Sequence, residues 1–199
     1  MDERNVPVLE TARLRLSLPR LGDADALVAH LTRNHERLEP WSPPEAPGAR
    51  TREGARRRIE SMHAEYRAQT GVRFWLRRKG EPNGDFVGAA SLTNIVFGAF
   101  RACYLGYHLD GAAVGQGLMQ EALEVVIGYA FDELRLHRIM ANYLPTNERS
   151  GRLLRRLGFV VEGYARDYLF IGGAFRDHVL TSRTNAALAN AEQLCTPRV

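Results

Sequence analysis

The chain has 199 residues, a length that suits one domain with a single sizeable core. Its 45% hydrophobic and 25% charged residues are ordinary for a globular protein, and no apolar run reaches the roughly 18 to 20 residues of a membrane helix. The charged start MDERNVPVLE lacks the apolar centre of a secretory signal, so we expect a cytoplasmic protein with no membrane partner. The net charge of +4 fits an anionic ligand without identifying one.

The first quarter of the chain predicts one strand and two helices. Residues 9–18 alternate apolar and polar side chains from Leu14 to Leu18, which is typical of a strand. Asp23 is placed to cap a helix that runs to about residue 33. A proline-rich loop over 40–47 then precedes an arginine-rich amphipathic helix at 51–68, whose basic side we interpret as a solvated face.

The centre of the chain predicts three antiparallel strands. Residues 72–78 and 85–93 are rich in strand-forming side chains and flank Asn83-Gly84, a strong hairpin signal. A further glycine turn leads to a third strand at 101–109. Cys103 lies in this strand, so a core thiol is favoured over a disulfide with the distant Cys195.

The last part predicts alternating strands and helices. In chain order they are a helix at 117–133, a strand at 137–143, a helix at 147–157, and strands at 159–170 and 174–184. The pattern indicates an α+β fold with a mostly antiparallel sheet and one strand–helix–strand crossover, the natural place for a ligand. We expect one domain over 1–185 and a C-terminal tail over 186–199 that could be mobile.

A glycine-rich loop, Gly111-Ala-Ala-Val-Gly-Gln-Gly117, joins a predicted strand to a predicted helix. Successive amides at a helix N-terminus form an anion site, although a tight turn without a ligand fits the loop equally well. No Lys-Ser or Lys-Thr follows, which excludes a Walker loop, and the hairpin-linked strands disfavour a dinucleotide fold. The histidines are scattered and no pair has zinc-ligand spacing, so we predict no metal.

A second element follows the crossover. Asn147 is placed to cap a helix while offering its amide outward, and Ser150 lies three residues on, on the same face. A cap followed by a solvent-facing serine explains this segment equally well when it is taken alone.

Together these motifs resemble the GNAT acetyltransferase superfamily, and within it the RimJ/RimL branch, most closely its RimJ group of ribosomal-protein alanine N-acetyltransferases. The resemblance rests on GQGLMxEAL, on HRIMANYxPxNxRSGxLLxRLGF, and on EGYARDY and RDHVLT, and it extends from the first strand to about Thr184. It implies a sheet splayed at the crossover, helices on both faces, and acetyl-CoA as cosubstrate.

The resemblance also implies roles for particular residues. Asn147 would bind the pantetheine or acetyl region, Ser150 would protonate the departing thiolate, and Arg149 and Arg152 are candidate partners for phosphate on charge grounds. The strand backbone that would pair with pantetheine comprises Leu105, Gly106, Tyr107, His108 and Leu109. The amides that would hold the pyrophosphate belong to Val114, Gly115, Gln116, Gly117 and Leu118.

Two positions depart from the family pattern. Ala112 stands where an Arg or Gln is usual, so only backbone contacts to phosphate are expected there. Leu169 falls where the RimL branch has a glutamate that is sometimes assigned as the base. Asp167, with His108 and His178, remains a candidate base, and each of the three has an equally simple structural role.

The acceptor is expected to be the N-terminal α-amine of a protein, and the resemblance implies a ribosomal protein. At neutral pH an α-amine is on the order of 400-fold richer in free base than a lysine, so it needs only a weak base. We expect Trp41, the helix at 51–68 and residues 164–168 to contact the acceptor, although Trp41 fits a core position equally well. A small-molecule amine as the acceptor and a non-catalytic CoA-binding module are the alternatives.

The aromatic residues show no stacking array, so no nucleic-acid binding is expected. The protein is predicted to be a monomer or homodimer.

Overall fold

The computed structural model describes residues 6–81 and 84–188. This part of the chain folds into eight strands and four α-helices. It has one strand more than predicted, because the predicted first strand is broken in two. The elements are β1 (Val8–Glu10), β2 (Leu14–Ser17), α1 (Ala24–Leu38), α2 (Arg52–Arg67), β3 (Gly71–Arg78), β4 (Gly88–Val96), β5 (Ala102–Leu109), α3 (Leu118–Gly128), β6 (Arg138–Met140), α4 (Glu148–Arg156), β7 (Val160–Ile171) and β8 (Ala174–Thr184).

The first residues of α1 and α2 differ in how they cap their helices. Thr51 caps α2, the helix predicted to begin at residue 51, since its hydroxyl accepts a hydrogen bond from an amide of the first turn at 3.1 Å. The predicted side-chain cap of α1 is wrong, because one Asp23 carboxylate oxygen accepts from the Arg77 guanidinium and the other from the Arg20 amide, each at 2.7 Å, and α1 runs on to Leu38. Asn83 of the predicted hairpin turn lies outside the described residues.

The described strands form one sheet in the order β1-β2-β3-β4-β5-β6-β8-β7. Every neighbouring pair is antiparallel except β5 and β6, which are parallel, so the predicted α+β fold is confirmed. β5 pairs with β6 only over Ala102–Tyr104, whereas β5 itself continues to Leu109. From Leu105 onward the two halves of the sheet therefore separate, and we call this opening the splayed gap.

Helices cover both faces of the sheet because strand side chains alternate between the faces. Phe74 of β3 joins the core under α3 and α4, while its neighbour Trp75 joins a second core under α1 and α2. Beyond β8, Ala186–Leu188 form a short 3₁₀ turn in which Leu188 is buried, so the start of the predicted tail packs on the domain. Residues 189–199, with Cys195, lie outside the described residues. In the described part of the chain, no helix is both long and apolar enough to cross a membrane.

Candidate active site

A cleft of about 670 Å³ occupies the splayed gap. It brings together residues that are far apart in sequence, from the end of α1, from β5, from the start of α4 and from the β7–β8 hairpin. The predicted site residues that line it are Leu105, Gly106, Tyr107, His108, Leu109, Val114, Asn147, Ser150 and Arg152.

The backbone of β5 forms one wall of the cleft. From Leu105 to Leu109, β5 pairs with β4 along one edge, and the β6 ladder that would cover the other edge has ended at Met140. An open strand edge offers N–H and C=O groups in register to an extended ligand. The amide-rich pantetheine arm of coenzyme A is a ligand of that kind, so this edge fits the predicted role of β5.

The glycine-rich loop carries the chain from β5 into α3. Gly115 and Gly117 have φ of 81° and 75°, a left-handed conformation that glycine adopts without strain. The amides of residues 115–118 donate to no group in the described part of the chain, and they precede the N-terminal turn of α3. Val114 lines the cleft directly, whereas the predicted residues 115–118 lie outside its lining, which resumes at Met119 of α3. This arrangement suits a pyrophosphate.

Asp110 and Asn34 hold the start of the loop. Asp110 caps the first turn through the Ala112 amide at 2.9 Å and accepts from Arg33 at 2.7 Å. The Asn34 side chain donates to Asp110 and accepts from the Gly111 amide, both at 3.0 Å. Burial tends to raise the pKa of Asp110, but the hydrogen bonds from Asn34, Ala112 and Arg33 outweigh it and lower the pKa to about 2. The Asp110 carboxylate is therefore ionised at neutral pH, and in this charged form it accepts the hydrogen bonds that order the start of the loop.

The start of α4 places Ser150 against β5. Asn147 caps the helix by accepting from the Ser150 amide at 3.1 Å, as predicted for the cap. The Ser150 hydroxyl is not solvent-facing, since its oxygen lies 2.6 Å from the Tyr107 hydroxyl. Burial raises the pKa of Tyr107 to about 12, although the bond to Ser150 works against this rise. Tyr107 therefore stays protonated and can donate to Ser150.

Tyr143 and Gly151 explain how α4 comes so close. A Cβ on Gly151 would lie 2.8 to 2.9 Å from three atoms of the Tyr143 ring, so only glycine lets the helix rest on this tyrosine. Sequence reasoning missed the side chains of Tyr107 and Tyr143, because both read as ordinary strand residues. Asp110 was missed too, although an aspartate directly before a Gly-Ala-Ala turn is a recognisable cap signal.

The three candidate bases occupy different environments. Asp167 lies outside the cleft lining, in a β7 bulge at φ 48°, and its amide donates to Asp177, so the cleft lends no support to its predicted role. His108 lines the cleft but shares a 3.1 Å ring-nitrogen contact with the buried His30. Burial lowers the pKa of His108 to about 3. His178 lines the opposite wall and is buried.

Cationic side chains surround the cleft. Arg37, Arg149 and Arg152 line it, and Arg37 also donates to the carbonyl of Leu109. Arg152 forms an exposed ion pair with Glu148 at 2.9 Å, which a phosphate could share. Within 6–81 and 84–188, no group of three or more His, Cys, Asp or Glu residues could hold a metal ion.

Comparison with known proteins gives concordant results. Residues 13–160 match the family model of the acetyltransferase (GNAT) domain. The chain is 42% identical over 182 residues to the [ribosomal protein uS5]-alanine N-acetyltransferase of Escherichia coli K12, covering 90% of this chain and 93% of that protein.

Solved structures agree with this likeness. A ribosomal-protein-S5-alanine acetyltransferase from Vibrio fischeri is 35% identical, with a TM-score of 0.86 over 92% of this chain and 100% of that one. Mycobacterium smegmatis RimJ, solved in complex with CoA-disulfide, is 28% identical, with a TM-score of 0.83 over 94% and 90% of the two chains. With the open edge of β5 and the amide-rich loop, these matches establish that the chain belongs to the GNAT family and is an acetyl-CoA-dependent N-acetyltransferase.

Proposed function

We propose that the acceptor is the N-terminal α-amine of a protein, and that this protein is ribosomal. The observation that carries the proposal is the likeness, over nearly all of both chains, to an enzyme named for the alanine of ribosomal protein uS5. The acceptor side of the cleft supports it. Trp41 is 42% exposed on the rim rather than inserted in the core, and the equally exposed Leu169 faces the same opening. Such a rim suits a peptide that continues outside the cleft.

The chemistry follows from the groups in the splayed gap. Acetyl-CoA supplies a thioester carbonyl, and the amine attacks it directly while both substrates are bound. Amides on the open edge of β5 stabilise the charge that develops on the carbonyl oxygen. Ser150 protonates the departing thiolate, and Tyr107 orients the Ser150 hydroxyl at 2.6 Å. Asn147 keeps Ser150 in place by capping α4 and contacts the acetyl or pantetheine region.

Binding of coenzyme A divides between backbone and side chains. The amides of residues 114–118 hold the pyrophosphate, since Ala112 brings no side-chain donor to the start of the loop. Arg149 and Arg152 add charge at the cleft wall, where their forked donors match phosphate oxygens.

Acceptor choice is tested by mass spectrometry on three matched substrates. The first is a peptide with a free N-terminal alanine, the second is the same peptide with a blocked N-terminus and one internal lysine, and the third is a small primary amine. We expect acetylation of the first peptide alone. Modification of only the small amine would assign the enzyme to metabolite acetylation, the alternative that the sequence leaves open.

We also propose a location, an oligomeric state and domain bounds for the enzyme. The enzyme acts in the cytoplasm as a monomer or homodimer, without direct contact to nucleic acid. The catalytic domain spans 1–185, and 186–199 form a C-terminal tail whose first residues pack on the domain. Light scattering on the purified chain, with and without acetyl-CoA, measures the oligomeric state.

A further inference from the structure

We propose that His178 accepts the proton of the attacking amine. The N–C bond forms as the C–S bond breaks, the amine proton moves to Nε2 of His178, and the thiolate takes a proton from Ser150. The amine loses one proton to His178, and the thiolate gains one from Ser150. Exchange with solvent then returns His178 and Ser150 to their starting protonation states. The proposal rests on amine acetylation in this cleft, the chemistry described under the proposed function.

The level of His178 in the sheet places it at the splayed gap. Counting on from the parallel pair Tyr104–Met140, Tyr107 is level with Tyr143 and His108 with residue 144. Tyr143 bridges Val179 of β8, the residue next to His178. His178 therefore lines the cleft at the level where Tyr107 contacts Ser150.

His178 and Ser150 approach the gap from opposite faces of the sheet. Arg183 of β8 donates at 2.7 Å to the carbonyl of Leu157, just after α4, so it lies on the α4 face. His178 is five residues away on the same strand, which places it on the other face. Its ring centroid lies 5.3 Å from that of Tyr168, which reaches Tyr104 on that face. The amine can thus enter on one side while the thiolate leaves on the other.

The hydrogen bonding of His178 leaves one nitrogen available. Nδ1 lies 2.9 Å from the carbonyl oxygen of Arg176, and a carbonyl can only accept, so Nδ1 carries the proton. Nε2 of the neutral ring then holds a lone pair. The neighbouring Asp177 is engaged elsewhere, by Tyr164 at 2.7 Å and by the amide of Asp167 at 2.9 Å.

Tyr107, His108 and Glu148, which also line the cleft, are unsuitable as acceptors. Burial holds the pKa of Tyr107 near 12 and that of His108 near 3, far on either side of neutral pH. Glu148 is paired with Arg152 on the exposed face of α4. His178 also stands two strand positions from Arg176, the register partner of the cleft-lining Leu169.

The test compares two amines and two variants. His178→Gln is assayed on a peptide with N-terminal alanine and on the same peptide with fluorine on the alanine methyl group, which makes the α-amine less basic. We expect kcat/KM on ordinary alanine to fall about 100-fold, the low end for general-base catalysis. The loss on the fluorinated peptide should be at least tenfold smaller, because a less basic amine gives up its proton more readily.

His63→Gln is the matched control, since a His63 ring nitrogen also contacts a carbonyl, that of Pro19 at 2.9 Å, but the residue lies outside the cleft lining. It should leave both rates unchanged. Melting temperature and acetyl-CoA affinity of His178→Gln should match the wild type. An equal loss on both amines, no loss, or a loss of acetyl-CoA affinity would each overturn the proposal. Wild-type activity on the peptides tests the proposed function separately, since the His178 comparison can be repeated on any amine that the enzyme accepts.

Discussion

The two walls of the cleft are built in different ways. The coenzyme half, made of the open edge of β5, the loop 111–117 and the start of α4, comes from one region of the sequence, interrupted by α3 and β6, and offers mainly backbone groups. The acceptor half, made of the turn around Trp41 and the β7–β8 hairpin, comes from segments more than 100 residues apart and offers side chains. A backbone site tolerates changes of side chain and so suits a constant ligand, whereas a side-chain site can be altered to suit another acceptor.

The largest effect should come from Ser150, where the two halves meet. Ser150→Ala should lower kcat about 100-fold, or about 2.7 kcal/mol in the barrier, because it removes the proton donor to the thiolate. The KM for acetyl-CoA and for the peptide should change little, as measured by steady-state kinetics. Tyr107→Phe should produce a smaller loss of the same kind. A raised KM for acetyl-CoA with unchanged kcat would instead make Ser150 a ligand of the coenzyme half.

An intermediate effect is expected at Gly151. Gly151→Ala forces a methyl group against the Tyr143 side chain, and the cost of overpacking outweighs the gain in helix propensity. The free energy of unfolding should therefore fall by about 1–2 kcal/mol. Acetyl-CoA affinity should fall as α4 moves away, which calorimetry can measure. Gly128→Ala in α3 is the control, because its Cβ would meet only a carboxylate oxygen at 3.8 Å, and it should be neutral or slightly stabilising. If the two variants were equally stable, α4 would not depend on this contact.

The smallest effect should be confined to the acceptor half. Trp41→Ala should raise the KM for the peptide roughly fivefold, which corresponds to about 1 kcal/mol of lost contact, and leave the KM for acetyl-CoA unchanged. Phe100→Ala removes an aromatic side chain that is 50% exposed but lies outside the cleft lining, so it should alter neither constant. A change in the KM for acetyl-CoA with Trp41→Ala would show that the two halves are not separable.

Local pattern determined most of the fold and the coenzyme half. The order of strands and helices, the Thr51 and Asn147 caps and the glycine loop could be predicted because periodicity, capping and left-handed turns depend on residues within a few positions of each other. A site that binds its ligand through backbone groups can also be predicted in this way, since an open strand edge and a helix N-terminus are local features.

Only the tertiary structure decided which side chains meet. The Asp23 carboxylate pairs with Arg77, 54 residues away, and with the Arg20 amide, and it makes no cap bond to α1. Ser150 acquired Tyr107 as a partner across 43 residues. His178 reached the splayed gap through the pairing of β6 with β8, while Asp167, close to it in the hairpin, was turned away by a bulge. These contacts depend on strand register and on the face to which each side chain points, and neither is visible along a single sequence.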